Sequence, residues 1–257
     1  MIKTDAGVAT EGQPLPLSPI PIETCSGDTR RLQAERQRKR IRAAARRLFS
    51  ERGYAGFHIN DLASSCDLAL QTLYNHLGGR EEILSSSVDE LLQAQVEWAN
   101  AESARTRRSF MLVWCDLIAK VAELDRSYAQ SLVSILKDQT HRPLLADLIE
   151  DRCKSAFHAH LRSLQDSGML KHWVNIDTLA VALQDIIRTI ITARIGSNLD
   201  AARLHHELLI SIGLLLFGAT CGDEAHRIEA ALASALGPRL QRPGADGSQL
   251  RLGGSSH

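Results

Sequence analysis

The sequence has few cysteines, no excess of either charge and no long apolar run. Its five cysteines are widely spaced without a CxxC pair, which excludes a disulfide framework and predicts reduced thiols in the cytosol. Aromatic residues make up only 4% of the chain, yet 44% of its 257 residues are apolar, which is enough for a buried core. We therefore expect one large folded domain or two modest ones.

Export and membrane signals are also missing. The start of the chain contains a single lysine and no apolar segment, so it does not resemble a signal peptide. The longest apolar stretch, 212–219, is interrupted only by glycine and falls far short of the roughly 20 residues that span a bilayer. The prediction is a cytoplasmic protein that has no membrane partner.

Catalytic and metal-binding motifs are absent as well. The sequence has no GxSxG, no Gly-rich phosphate loop and no HExxH, so we predict neither enzymatic activity nor a cofactor. His158 and His160, with His172 and Cys153 nearby, are the best candidates for metal ligands. Residues two apart on a helix point in nearly opposite directions, so these two histidines are not expected to share an ion, and no metal site is predicted.

Helical periodicity runs through most of the chain, which predicts an all-α protein. Four of the seven prolines lie in residues 1–28, which we interpret as a disordered arm, and residues 237–257 are interpreted as a disordered tail. Helices are expected at about 31–52, 59–66 and 69–77, followed by longer ones at 81–101, 106–123, 126–139, 143–167, 177–195, 201–220 and 224–236.

The first three helices have the dimensions of a helix-turn-helix unit. The first carries an apolar stripe and is followed by Gly53, a residue suited to ending a helix. The next two are about two turns long and are joined by a tight connection through Asp67 and Leu68. The stripe consists of Ile41, Ala44, Ala45, Leu48 and Phe49.

Residues 40–84 resemble the DNA-binding domain of the TetR/AcrR family of bacterial transcriptional regulators. More than a dozen positions match at fixed spacing, whereas the downstream helices resemble the family only in number, length and order. Besides the stripe, the matching residues are Glu51, Gly53, Tyr54, Ile59, Leu62, Ala63, Thr72, Leu73, Tyr74, His76, Arg80, Glu81 and Glu82. The resemblance implies a three-helix DNA-binding domain (29–80) followed by a larger helical domain for ligand binding and dimerisation (81–236).

The third helix carries the residues expected to read DNA. Leu73 and Leu77 fall on its buried side, so the opposite face is free to enter a major groove. The predicted base-reading residues on that face are Leu70, Gln71, Thr72 and Asn75, because amides can pair with adenine and apolar groups can contact the thymine methyl. The predicted phosphate contacts are Tyr74 and His76 on the flanks, in agreement with the resemblance, and Arg80 at the start of the fourth helix.

A basic run and several unusual positions surround this unit. Residues 30–47 contain nine Arg or Lys and one Glu, which as a group favours contact with DNA, although a solvated helix face is the alternative for each one. The chain has His58, Asp67 and Ala69 where the family usually has a threonine cap, a glycine turn and a serine, and Gln71 where the family often has a small residue. These departures predict weaker helix caps and leave the operator sequence open.

The resemblance also implies a cavity for a small-molecule inducer and a homodimer. Trp114 and Tyr128 are weak candidates for contacts to a largely apolar ligand, since an aromatic residue in this region is more often part of the core or surface than a ligand contact. The helices at 177–195 and 201–220 are the most apolar and are expected to pair with those of a second copy, or else to form the core of the body.

The function expected from these observations is a sequence-specific transcriptional regulator, a repressor released from a palindromic operator by a small molecule. The alternative is an architectural, nucleoid-associated dimer without an inducer. The charge distribution agrees with DNA binding: residues 28–80 hold 11 Lys and Arg against 5 Asp and Glu, whereas the remainder holds 19 against 25. The net charge of zero is therefore a cancellation between a basic head and an acidic body.

Overall fold

The computed structural model describes residues 29–137, 143–195 and 200–237. Within these ranges the chain forms ten α-helices and one isolated antiparallel bridge between Leu170 and Thr220, so the all-α prediction is confirmed. The predicted arm at 1–28 and all of the predicted tail except Gly237 lie outside the described residues. The helices are α1 (Thr29–Gly56), α2 (Ile59–Cys66), α3 (Leu70–Leu77), α4 (Arg80–Thr106), α5 (Phe110–Leu124), α6 (Arg126–Lys137), α7 (Pro143–Asp166), α8 (Ile176–Ile195), α9 (Ala201–Ala219) and α10 (Gly222–Leu236).

Helices α1–α3, which we call the head, pack around the apolar stripe of α1. Four of its five residues are buried, three of them without any exposed surface, and Ala44 is partly buried against the same core. Regular helical geometry in α1 is interrupted at Gly53, whose φ of 67° is easily adopted by glycine. The predicted end of the first helix is thus confirmed, and the segment from Tyr54 to Gly56 adds only a short turn.

Helices α4–α10, which we call the body, contain α5 as a largely buried helix. Ten of the 15 residues of α5 are buried, and α5 packs against α4, α6 and α9. The helix α9 is long and apolar enough to cross a membrane by length and composition alone, with a mean hydropathy of 1.2. It packs against α5, α8 and α10, and one such helix is weak evidence for a membrane span.

One predicted boundary in the body is wrong. The fourth helix was expected to end near residue 101 and the fifth to begin near 106, but α4 continues to Thr106 and α5 begins at Phe110. The segment between 101 and 106 contains no glycine or proline, so nothing in it stops a helix. The helix ends where Arg107 takes the left-handed conformation, with a φ of 53°.

The head joins the body through the packing of α1 on α4 and α6. On the α6 side, the ring of Phe49 meets that of Tyr128 edge-on at a centroid distance of 5.8 Å. The hydroxyl of Ser131 donates to the Phe49 carbonyl at 3.2 Å, and that of Ser50 donates to Asp125 at 2.8 Å. This apolar and polar contact fixes the middle of α1 to the body.

Candidate functional site

The turn between α2 and α3 is built around Asp67. This residue has a φ of 53°, a left-handed conformation that aspartate tolerates better than most side chains. The following N–H groups close the end of α2, since Leu68 donates to the carbonyl of Ala63 at 3.0 Å. The turn therefore forms without the glycine that is usual in the family.

The helices α2 and α3 begin without side-chain caps. Neither His58 nor Ala69, their N-cap residues, makes a capping hydrogen bond. Both helices therefore begin without side-chain capping, in agreement with the weak caps expected at these two positions. Tertiary packing holds both helices instead, because Leu62 and Leu73 have no exposed surface.

Helix α3 turns a polar face to solvent, as its spacing predicts. Gln71 and Asn75 are exposed, Leu70 is 39% exposed, and Thr72 is half-buried beside them. The Gln71 amide donates to the Asn75 side-chain oxygen at 3.1 Å. This bond aligns two amides one helical turn apart and leaves the Gln71 oxygen and the Asn75 N–H groups available to a ligand.

Two residues flank this face. Tyr74 is 46% exposed, and His76 is half-buried on the other side of the helix. The Nε of Arg38 on α1 donates to the backbone carbonyl of His76 at 3.2 Å, near the end of α3. The flanking positions predicted for Tyr74 and His76 therefore exist, and α1 supports the end of the helix that carries them.

The side chain of Arg80 has a different set of partners from those expected of a phosphate contact. Its Nε donates to the carbonyl of Phe57 at 2.8 Å, its other nitrogens bind the Tyr54 carbonyl and Glu81, and its guanidinium lies 4.3 Å from the centroid of the Tyr54 ring. These contacts join the loop after α1 to the start of α4. We therefore describe Arg80 as a residue that positions α4, whose first N–H groups remain uncapped by any side chain at Gly79.

Much of the basic run is also bound within the protein. Arg40 donates to the carbonyl of Cys66 at 2.9 Å and so closes the end of α2, while Arg42 and Arg46 bind α4. In contrast, Arg36 and Lys39 are exposed and have no partner among the described residues. Sequence alone could not separate these two groups, because an arginine that caps a distant helix has no local signal.

The carboxylate of Glu90 on α4 holds the head to the body. It accepts hydrogen bonds from Arg42 Nε and Arg46 Nη1, each at 3.0 Å. Burial opposes ionisation of Glu90, but the bonds from Arg46 and Arg42 outweigh it and hold its pKa below the ordinary value of 4.5. The neighbouring Asp89 binds Arg152 of α7, with Nη2 and Oδ2 2.8 Å apart. Adjacent carboxylates of α4 thus bind α1 on one side and α7 on the other.

An apolar cavity of about 110 Å³ lies in the body between α4, α5, α6, α7 and α8. Its lining contains no charged side chain and only three residues with a polar side-chain atom, namely Gln95, Trp114 and Cys153. Ile149 and Cys153 flank Arg152 on α7, and Leu92 and Gln95 follow Glu90 on α4. The cavity wall therefore includes α4, whose Glu90 holds the head, and α7, which is paired with α4 through Arg152.

The two aromatic candidates for ligand contact have different positions. Trp114 lines the cavity, as expected. Tyr128 is not part of this lining: it is 2% exposed, it packs on Phe49 at the junction between α1 and α6, and burial raises its pKa above the usual range. We therefore do not retain Tyr128 as a ligand contact. Gln95 was missed because a single glutamine on a long amphipathic helix has no distinctive sequence signal.

The paired histidines contact different carboxylates. His158 Nδ1 is 3.4 Å from Asp177, whereas His160 Nε2 is 3.9 Å from Glu224. Burial lowers the pKa of His160, and the Glu224 carboxylate opposes that shift. Among the described residues no three potential ligands are grouped around a common point.

The outer faces of α8 and α9 expose apolar side chains. Leu214 is 55% exposed and Phe217 41%, and with half-buried Ile210 they follow the spacing of one face of α9. On α8, Val181 is 46% exposed, and Ile186 and Ile190 are half-buried. Two adjacent helices therefore present apolar surface that none of the described residues covers.

Comparison with known proteins agrees with this geometry. Residues 41–86 match the model of the bacterial regulatory proteins of the tetR family, and no curated protein sequence matches the chain. A TetR-family transcriptional regulator from Pectobacterium atrosepticum is 21% identical, with a TM-score of 0.58, and the match covers 75% of this chain and 98% of that one.

Two named repressors have the same fold. Thermus thermophilus FadR, a TetR-family repressor solved with lauroyl-CoA, is 19% identical with a TM-score of 0.54, over 72% of this chain and 96% of its own. SmeT, the repressor of the Stenotrophomonas maltophilia multidrug efflux pump SmeDEF, is 14% identical with a TM-score of 0.54, over 73% and 92%. At these identities the likeness shows the fold, including the order of head and body.

Proposed function

Because this chain belongs to the TetR family of bacterial regulatory proteins, we propose that it is a repressor which binds a palindromic operator and is released by a small molecule. Residues 29–80 read DNA and residues 81–236 bind the ligand and a second copy of the chain. The observation that carries this proposal is the exposed polar face of α3, on which the bonded amides of Gln71 and Asn75 stand between Tyr74 and His76. As a repressor of bacterial transcription, the protein would act in the cytoplasm, where the DNA lies.

The bonded amides suit the edge of a base pair. The free Asn75 N–H groups and the free Gln71 oxygen together offer donors and an acceptor to one or two neighbouring bases. Phosphate binding falls to residues beside this face: Tyr74, His76, the first N–H groups of α4, and the unpartnered cations Arg36 and Lys39 on α1. Arg80 acts indirectly, by holding the start of α4.

A second copy of the chain is the occupant that suits the apolar faces of α8 and α9. The relatives of this fold form dimers, and a two-fold axis brings the same faces together without any further partner. Two heads would then enter successive major grooves about one helical turn apart, which requires a palindromic site.

Helix α4 connects the cavity to the head. Leu92 and Gln95 line the cavity, and Glu90 on the same helix binds the arginines of α1. A ligand that displaces α4 would change the spacing of the two heads and weaken DNA binding, and by linkage DNA would weaken ligand binding by the same factor.

A selection from randomised double-stranded DNA tests the proposal. The wild-type chain should enrich one short palindrome, and Asn75→Ala should relax the preference at particular base pairs at a cost of about 1–3 kcal/mol. Lys39→Ala, the matched control for a backbone contact, should weaken binding to all sequences and reduce the salt dependence.

The selection also distinguishes the alternative function. Enrichment of no sequence over bulk DNA would contradict a regulator and favour an architectural protein. If Asn75→Ala left the selected sequence unchanged, the assignment of the reading face would be wrong.

A further inference from the structure

The cavity of the body is bordered by one side-chain amide, that of Gln95. Gln95 is only 7% exposed, lines the cavity, and makes no hydrogen bond with any described residue. An amide that is largely removed from water and has no protein partner gains free energy when a bound molecule satisfies its donors or its acceptor. The arrangement therefore favours an occupant that satisfies this amide.

The rest of the lining excludes a charged occupant. No acidic or basic side chain borders the cavity, and burial raises the pKa of the Cys153 thiol to about 12, so that group stays neutral. A carboxylate or an ammonium group placed here would have no compensating charge. Two charged side chains, Glu150 and Arg188, border an adjoining smaller cavity, and their charged atoms lie 3.6 Å from each other.

The volume limits the size of the occupant. The cavity measures about 110 Å³, and the adjoining one measures about 60 Å³. The two share five wall residues, namely Leu136, Ile149, Cys153, Ile187 and Ile191. An engineered apolar cavity of about 150 Å³ holds benzene. A single small ring, or a short chain of similar volume, is therefore the largest occupant expected in this space.

We propose that the ligand of this protein is a small, uncharged and mostly hydrocarbon molecule with one oxygen that hydrogen-bonds to Gln95. This inference rests on the proposed function, in which the cavity is the regulatory site. The apolar walls bind the hydrocarbon part, the Gln95 amide binds a hydroxyl or carbonyl oxygen, and the lining rejects ions. Because Gln95 lies on α4, the bond attaches the ligand to the helix that also holds the head through Glu90.

Isothermal titration of the full chain with phenol, toluene and benzoate tests the proposal, because phenol and toluene have nearly the same shape. Phenol and toluene should bind and benzoate should not. In Gln95→Leu the ratio of phenol to toluene affinity should fall about tenfold, since one hydrogen bond is lost while the apolar contacts remain. Gln93→Leu is the matched control: it makes the same substitution on the exposed face of the same helix and should leave the ratio unchanged.

Each contrary outcome overturns the proposal. It fails if none of the three probes binds, if benzoate binds as well as phenol, or if Gln95→Leu keeps the wild-type ratio. Gln95→Met, which keeps the length of the side chain, should give the same result and replaces Gln95→Leu if that variant does not fold.

Operator affinity measured with and without phenol separates this proposal from the proposed function. Phenol binding through Gln95 with no effect on operator affinity would refute ligand control of DNA binding and leave the binding chemistry intact. If phenol weakened operator binding but Gln95→Leu kept the wild-type ratio of phenol to toluene affinity, ligand control of DNA binding would stand and the hydrogen bond to Gln95 would be refuted.

Discussion

The contact between Glu90 and the arginines of α1 predicts the stability of Glu90→Gln and its pH dependence. The substitution keeps the shape of the side chain and removes the charge that Arg42 and Arg46 share. A charge-assisted hydrogen bond contributes about 1.5–3 kcal/mol when it is well buried. The Glu90 side chain is 33% exposed, so we discount for solvent screening and expect a loss of about 1–2 kcal/mol in the free energy of unfolding.

The pH dependence follows from the lowered pKa of Glu90. A carboxyl group whose pKa is lower in the folded state stabilises the fold above its unfolded pKa, near 4.5, and loses that contribution as the pH falls through its folded pKa. The difference in the free energy of unfolding between wild type and Glu90→Gln should therefore be largest at neutral pH and should shrink as the pH falls below about 4.

Urea unfolding at a fixed protein concentration measures both effects. Glu97→Gln is the matched control, because Glu97 is exposed on the same helix and its one partner among the described residues is the Gln93 amide, at 3.0 Å. It should change stability by less than about 0.5 kcal/mol. Equal stability of the two variants at neutral pH, or a Glu90→Gln effect that does not depend on pH, would refute the reasoning.

Two further predictions concern the turn of the head and the surface of the body. Asp67→Val should lower the free energy of unfolding by about 1–2 kcal/mol, because a β-branched residue is strained at a φ of 53°. Asp67→Gly is the control and should not lower it. Equal urea midpoints for wild type and Asp67→Val would contradict this prediction. Leu214→Glu should weaken self-association by about 3 kcal/mol or more, because it buries an unpaired charge at the expected interface. Analytical ultracentrifugation measures this effect. The control is Leu144→Glu, a change at a 69% exposed leucine on α7 that should leave the dimer intact. A dimeric Leu214→Glu variant would argue against α9 as the interface.

The elements of the head were predictable from sequence because their signals are local. The spacing of Ile41, Ala45 and Phe49 marks the buried face of α1, and all three have no exposed surface. The bounds of α2 are confirmed at both ends, since Asp67 stops the helix within its own turn. The polar face of α3 follows from the burial of Leu73 in the same way.

Other features failed or were missed because they depend on distant partners. Arg80 has the residue type and position of a phosphate contact, yet the loop at Tyr54 and Phe57 takes up its guanidinium. Tyr128 has the composition of a cavity residue, yet the packing of α6 on α1 places it against Phe49. Gln95 is one of several glutamines in the sequence, and only the packing of the body places it in the cavity.

The net charge of zero also illustrates the difference between what the local sequence determines and what tertiary packing determines. The sequence by itself determined that the protein is helical, that its basic residues are concentrated in a DNA-binding head and that its acidic residues lie mainly elsewhere, because periodicity and local composition carry that information. Only the tertiary structure decided which of those charges are available: Arg42 and Arg46 neutralise Glu90, Arg40 closes α2, and Arg36 and Lys39 stay in solvent. The physical reason is that an ion pair or a cavity needs groups from separate helices, and their meeting is set by packing and not by spacing along the chain.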